Sequence, residues 1–216
     1  MRLDSSREVI KTRLRGSATS AGSGAAVLMW LLTAPAAAVV NSGIDEDAQL
    51  PYWEIVDPGV TIRLVQRLPE QTRGFFEARG FSESDAERIA QSCVFQTVFK
   101  NISHQSDPSP IEYNLHDWVV HADGRQRTMK TREDWRRDWT ARQAPKAAQL
   151  AFEWALFPTR QRYRPGDYNW GMSVFDLKPG TLFDLDVVWH QFGRDHTVRI
   201  KGMRCAPDIH LEPGAL

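Results

Sequence analysis

The stretch TLFDLDVVWHQFGRDHTVRIKGMRC, residues 181–205, decides the fold class. From 181 to 190 it alternates, Phe183, Leu185, Val187 and Trp189 against Asp184, Asp186, Val188 and His190. Successive side chains on a strand point to opposite faces, so this period sets an apolar row against a core and a more polar row toward water. A short loop, Gln191 to Asp195, leads into a second run, His196 to Cys205. Two runs joined by so few residues pair antiparallel.

The pattern continues upstream. Lys178-Pro179-Gly180 and Pro165-Gly166-Asp167 are turns around a strand from Tyr168 to Leu177. Proline presets φ in such a turn and glycine tolerates φ > 0. Just past the second turn, Tyr168 and Trp170 face either the core or solvent. The run RQRYR (160–164) puts Arg160, Arg162 and Arg164 on one face and Tyr163 on the other. IEYNLHDWVV (111–120) sets Ile111, Tyr113 and Leu115 against Glu112, Asn114, His116 and Trp118, which places Trp118 on the solvent side. CVFQTVFKNIS (93–103) sets Cys93, Phe95, Thr97 and Phe99 against Val94, Gln96 and Val98. TIRLVQRLP (61–69) is the first expected strand, and Asp123-Gly124 is a hairpin turn. QLAFEWALF (149–157) also alternates, which puts Trp154 with Trp189 in the core, although 146–155 admits a helix as well.

Helices interrupt the strands in two places. Pro69 and Gly80 bracket EQTRGFFEAR as a first-turn proline and a terminating glycine. Ser82 with Asp85, and Ser84 with Glu87, are capping patterns for a second helix ending near Ser92. Thr131 with Asp134 opens another that stops before Pro145. The expectation is a mainly β protein, an antiparallel β-sandwich with accessory helices at about 69–92 and 131–143. The runs FQTVFKNIS and PIEYNLHDW, with the later LKPGTLFDLDVVW, resemble secreted bacterial immunoglobulin-like sandwiches. In those an early strand ends in an F-x-N-x-S corner and a late strand follows an L-x-P-G turn. The resemblance spans about 93–120 and 164–205. It implies an immunoglobulin-like fold and a non-catalytic, partner-binding role, and carries over no functional residue.

The beginning of the chain reads as an address. Arg2, Arg7, Lys11, Arg13 and Arg15 precede the apolar run AAVLMWLLTAPAAAVV (25–40), and Ala34, Ala36 and Ala38 offer small-residue cleavage sites. That is the order of a secretory signal over 1–38, cleaved after Ala38 or, alternatively, Ala36. The run is short for a membrane span and is broken by Pro35. An uncleaved N-terminal anchor is the competing reading and the only one that brings in a membrane. Residues 39–60 read as an irregular lead-in and 61–216 as one domain. Cleavage removes five of 27 basic and two of 27 acidic residues, which leaves a formal charge of −3. Such a chain is a poor partner for nucleic acid. Two cysteines in an exported chain, Cys93 and Cys205, read as one disulfide. The expected location is periplasmic or extracellular.

Few residues suggest chemistry. No G-x-S-x-G, H-E-x-x-H or C-x-x-C motif occurs, so an enzyme is not expected, and a hydrolase has no positive support. His190 and His196 flank a loop, and with Met172 or Met203 they could form a copper site, the alternative function. Tryptophan is the one compositional excess, at eight residues. Such side chains anchor interfaces. The leading reading is an exported, non-catalytic binding or accessory protein without a cofactor, whose partner is another exported protein or a cell-envelope component. Its recognition surface is expected to join Trp118, Tyr168 and Trp170, with Arg160, Arg162 and Arg164 as a basic rim.

Overall fold

A computed structural model describes residues 38–104 and 109–209. The expected secretory signal falls almost wholly on residues 1–37, outside the described residues. Eleven strands and four α-helices are described, in two antiparallel sheets. The first sheet runs β1 (Val39–Ile44), β2 (Pro51–Asp57), β3 (Val60–Gln66), β4 (Val94–Asn101), β9 (Tyr168–Val174), in that spatial order. The segment 39–60 is therefore two paired strands, not an irregular lead-in. Its pattern is hard to read because β1 is exposed at every position and β2 is mostly half-buried, so neither shows a clean apolar row.

The second sheet is built on the opening stretch. β10 (Leu182–Gln191) pairs along its length with β11 (Arg194–Arg204). Its other edge is shared end to end by β6 (Val119–Ala122) and β5 (Ile111–Asn114), with β7 (Arg125–Thr128) beyond β6 and β8 (Arg160–Tyr163) beyond β5. A 3₁₀ turn at Leu115–Asp117 separates β5 from β6. It shifts the alternation, so that Ile111 and Tyr113 face inward before it, Leu115 at its start, and Trp118 and Val120 after it. Both sheets feed one core, with Ile62, Phe95 and Phe99 from the first and Tyr113, Leu185, Val187 and Trp189 from the second. Cys93, just before β4, is bonded to Cys205, just after β11, so the disulfide ties the two sheets together.

The helices make a second core. α1 (Pro69–Glu77) and α2 (Glu83–Ala90) lie between β3 and β4, and α3 (Arg132–Ala141) and α4 (Lys146–Ala155) lie between β7 and β8. Pro69 starts α1, Ser82 caps α2 by accepting from Asp85 N–H, and Thr131 and Asp134 form the capping box of α3. Phe76, Phe81, Trp135, Trp139 and Phe152 pack with Val94 of β4 and Val174 of β9. These strand residues point away from the core between the sheets, so β4 and β9 are covered on both faces at the end where Val94 pairs with Val174, while Tyr168 and Trp170 at the other end of β9 stay exposed. The alternation in 149–157 belongs to α4. Trp154 lies two residues, about 200° of helix, from buried Phe152, and is 77% exposed instead of in the core.

Candidate functional site

β8 and β9 are edge strands of different sheets, joined by the Arg164–Asp167 turn. Beside them lies an open cleft of about 750 Å³. Trp154 at the end of α4 and Trp170 on β9 both line it, 77% and 58% exposed. Polar groups between them are Arg132 and Glu133 from the start of α3, Thr159 just before β8 and Arg160 at its start, Asn169 of β9 and His116 of the 3₁₀ turn. An aromatic pair facing water costs hydrophobic burial, and two on one concavity are unusual unless something covers them.

The cleft stands on the core. The Tyr113 hydroxyl donates to the Pro158 carbonyl at 3.0 Å, and the Tyr113 ring stacks on Phe157 with centroids 5.1 Å apart. Burial pushes the Tyr163 hydroxyl up to about 12 and Tyr113 higher still, so both stay neutral. Behind Gly171 the chain passes so closely that a Cβ there would lie 2.5 Å from the Phe157 nitrogen. The Phe157 N–H donates to the Met172 carbonyl at 2.8 Å, which pins the segment between Trp154 and Thr159 to β9. Thr159 Oγ1 donates to Glu133 at 2.7 Å. Burial raises the Glu133 carboxyl, but this bond and donors at the helix start outweigh it, so the group stays anionic. Arg132 donates to the Leu156 carbonyl, while its buried Nε has no partner among the described residues. Burial lowers the Arg132 pKa against the pull of nearby anions.

The expected site residues are dispersed. Trp170 and Arg160 line the cleft, and Tyr168 is 64% exposed two residues along β9 from Trp170. Arg162 instead pairs with Glu112 across β8 and β5 at 3.3 Å, and Arg164 lies beyond the strand, its N–H bonded to Asp167. Trp118 is fully buried, a correction with a clear cause. The 3₁₀ turn rotates it inward, and its indole N–H donates to Val188 O at 2.9 Å where neither β5 nor β6 pairs with β10. Trp154, Arg132 and Glu133 were not among the expected residues. Reading 146–155 as a helix would have exposed Trp154.

The copper set does not converge. His196 pairs in register with Trp189 and stacks on it, centroids 5.3 Å apart. His190, one residue on, therefore faces the other side of the sheet, where Asp195 (2.6 Å) and Asp117 (3.4 Å) hold it. Met203 is in the core between the sheets and Met172 packs against the helical core. Among the described residues no group of three His, Cys, Asp or Glu side chains is arranged to hold a metal ion. Also among them, no helix is long and apolar enough to cross a membrane. No protein family, curated protein or solved structure matches the chain.

Proposed function

We propose that this is an exported, non-catalytic binding protein that recognises a partner through the cleft between Trp154 and Trp170. One observation carries the reading: two well-exposed tryptophans line a single concavity whose floor is fixed to the core. Arg132, Glu133, Arg160 and Asn169 add fixed polar groups of both signs, which suits a polar partner with an apolar anchor better than a purely apolar one. The partner is another exported protein or a component of the cell envelope. The disulfide is compatible with export, because such bonds persist in oxidising compartments. We read the two-sheet body as immunoglobulin-like, with the 69–92 and 131–155 helical segments added to that plan.

The test is crosslinking in the native organism followed by partner identification, repeated with Trp154→Ala and Trp170→Ala. Truncating a central tryptophan anchor costs about 2 kcal/mol or more, roughly thirtyfold in affinity, so each variant should lose the captured partner. A folded double variant that captures every wild-type partner at wild-type yield would rule the cleft out.

A further inference from the structure

A second cleft, of about 420 Å³, lies on the helix-covered face of the first sheet, where Trp170 is also a wall. Phe75 of α1, Ala155 of α4, and Met172 and Trp170 of β9 supply its apolar lining. Gln96 of β4, paired in register with Met172, lies beside them. Arg67, in the short link between β3 and α1, opens into the same space.

Arg67 is unlike the other arginines nearby. Arg63 is bonded to Asp45 at 2.9 Å and reaches Glu54 at 3.4 Å, and Arg73 is bonded to Glu87 and Asp208. Arg67 is half-buried, and its Nε is shielded from water with no hydrogen-bond partner among the described residues. Burial lowers its pKa, and the opposing pull of Asp45 does not restore it. Asp45 is already taken by Arg63 and the Ala48 N–H. A guanidinium stays charged and carries five donors in a planar fork. A partly desolvated cation beside an apolar wall, its buried Nε–H left unpaired, is costly until an anion meets the guanidinium.

We propose that this cleft binds a small monocarboxylate with an apolar tail, of the medium-chain fatty acid class. The carboxylate sits on the Arg67 fork, and the tail lies along Phe75, Met172 and Trp170. One planar fork matches one carboxylate in a bidentate pair. A volume near the lower end of ligand sites fits one short chain, not a two-tailed lipid. The inference does not rest on the partner cleft: Arg67 and Met172 are absent from that cleft, and Trp154 is absent from this one.

The experiment is calorimetric titration of the full chain with decanoate, decanol and acetate, all below micellar concentrations. Decanoate should bind at one site, with decanol and acetate each about tenfold weaker or more, because head and tail are both required. Arg67→Met should weaken decanoate about tenfold and leave decanol unchanged, while Arg67→Lys should keep part of the affinity. Ala155→Phe, which fills the apolar end without touching the charge, should weaken decanoate as well. Equal affinity for decanoate and decanol, no effect of Arg67→Met in a folded protein, or no decanoate binding by the wild type would each overturn the proposal.

Discussion

Replacing Gly171 with alanine tests how the cleft is anchored. Gly171 lies in β9, opposite Thr97 of β4. Its backbone is not left-handed, so alanine meets no torsional objection there. The obstacle is steric. An added Cβ would lie 2.5 Å from Phe157 N, 2.7 Å from Leu156 C and 2.7 Å from Phe157 Cα. All three are backbone atoms, so no side-chain rotation relieves the clash. Normal contact requires a separation of about 1 Å more. A shift of that size breaks the 2.8 Å bond from Phe157 N–H to Met172 O. Overpacking costs about 1–3 kcal/mol, and a buried N–H without a partner about 1–3 kcal/mol more. Alanine recovers about 0.4–1 kcal/mol by restricting the unfolded chain. The net expectation is a loss of roughly 1–5 kcal/mol, a large share of a typical domain's stability.

The control is Gly166→Ala. Gly166 has φ +89° and nothing within 4 Å of an added Cβ, so its cost is torsional only, about 1–2 kcal/mol. Urea unfolding of both variants, followed by tryptophan fluorescence, gives the comparison. Gly171→Ala should be the more damaging, with unchanged m-value. If it lies within about 0.5 kcal/mol of the wild type, or if Gly166→Ala costs more, the close approach of residues 156–157 to β9 is wrong.

Three further perturbations have defined outcomes. Reducing Cys93–Cys205 opens a loop spanning 112 residues, and the chain-entropy relation gives a loss of about 4–5 kcal/mol, roughly 10–20 °C in Tm. A reduced protein melting within about 3 °C of the oxidised one would show that the bond contributes little to stability. The Asp195 carboxylate, with Asp117, raises the His190 pKa above its ordinary value. A raised folded-state pKa stabilises fully below the unfolded value of about 6.5 and is lost as pH rises through the folded value. His190→Gln should therefore be less stable than wild type near about pH 5.5 and equal to it near about pH 9, by only a few tenths of a kcal/mol at this exposed site. An NMR titration midpoint at or below about 6.5 would contradict it. Phe192 sits at φ +54° in the β10–β11 turn, followed by Gly193 at +68°, with its side chain 58% exposed. Asparagine suits that position, so Phe192→Asn should raise stability by about 0.5–1 kcal/mol. A fall in the denaturation midpoint would mean that Phe192 makes a contact absent from this structure.

The sequence was most legible where one face of a strand is buried and the other is not. β10 shows strict alternation, and Phe183, Leu185, Val187 and Trp189 are all in the core. Cap chemistry located α1, α2 and α3, because Pro69, Ser82 and Thr131 satisfy local backbone requirements that do not depend on the rest of the fold. Legibility failed where a local period was ambiguous or broken. Leu150, Phe152 and Trp154 fit a strand and a helix equally over so few residues, and the absence of a turn signal between Pro145 and Pro158 did not decide between them. The 3₁₀ turn at Leu115–Asp117 inverted the reading of Trp118 because Asn114, whose side chain accepts from His116 N–H, looks like any polar strand residue.

The clefts failed to show in the sequence for a different reason. They arise from packing between segments that no local pattern connects. Trp170 belongs to both because β9 is an edge strand whose outer side meets α4 and the 156–159 segment. Gly171 is the sequence trace of that meeting: a glycine inside a strand, between two large residues, marks a place where another backbone comes close. From that glycine alone the identity of the approaching segment is invisible. With the fold in hand, it explains why Trp170 stays exposed. Residues 156–157 occupy the space beside Gly171 and Met172, so the indole one residue earlier has clefts on either side in place of a packing partner. A ligand on one side of Trp170 and a partner on the other would then compete for, or share, a single side chain. Decanoate at a concentration just sufficient to fill the wild-type cleft should therefore change the yield of the crosslinked partner in the wild type, and should change it clearly less in Arg67→Met, which binds about tenfold more weakly.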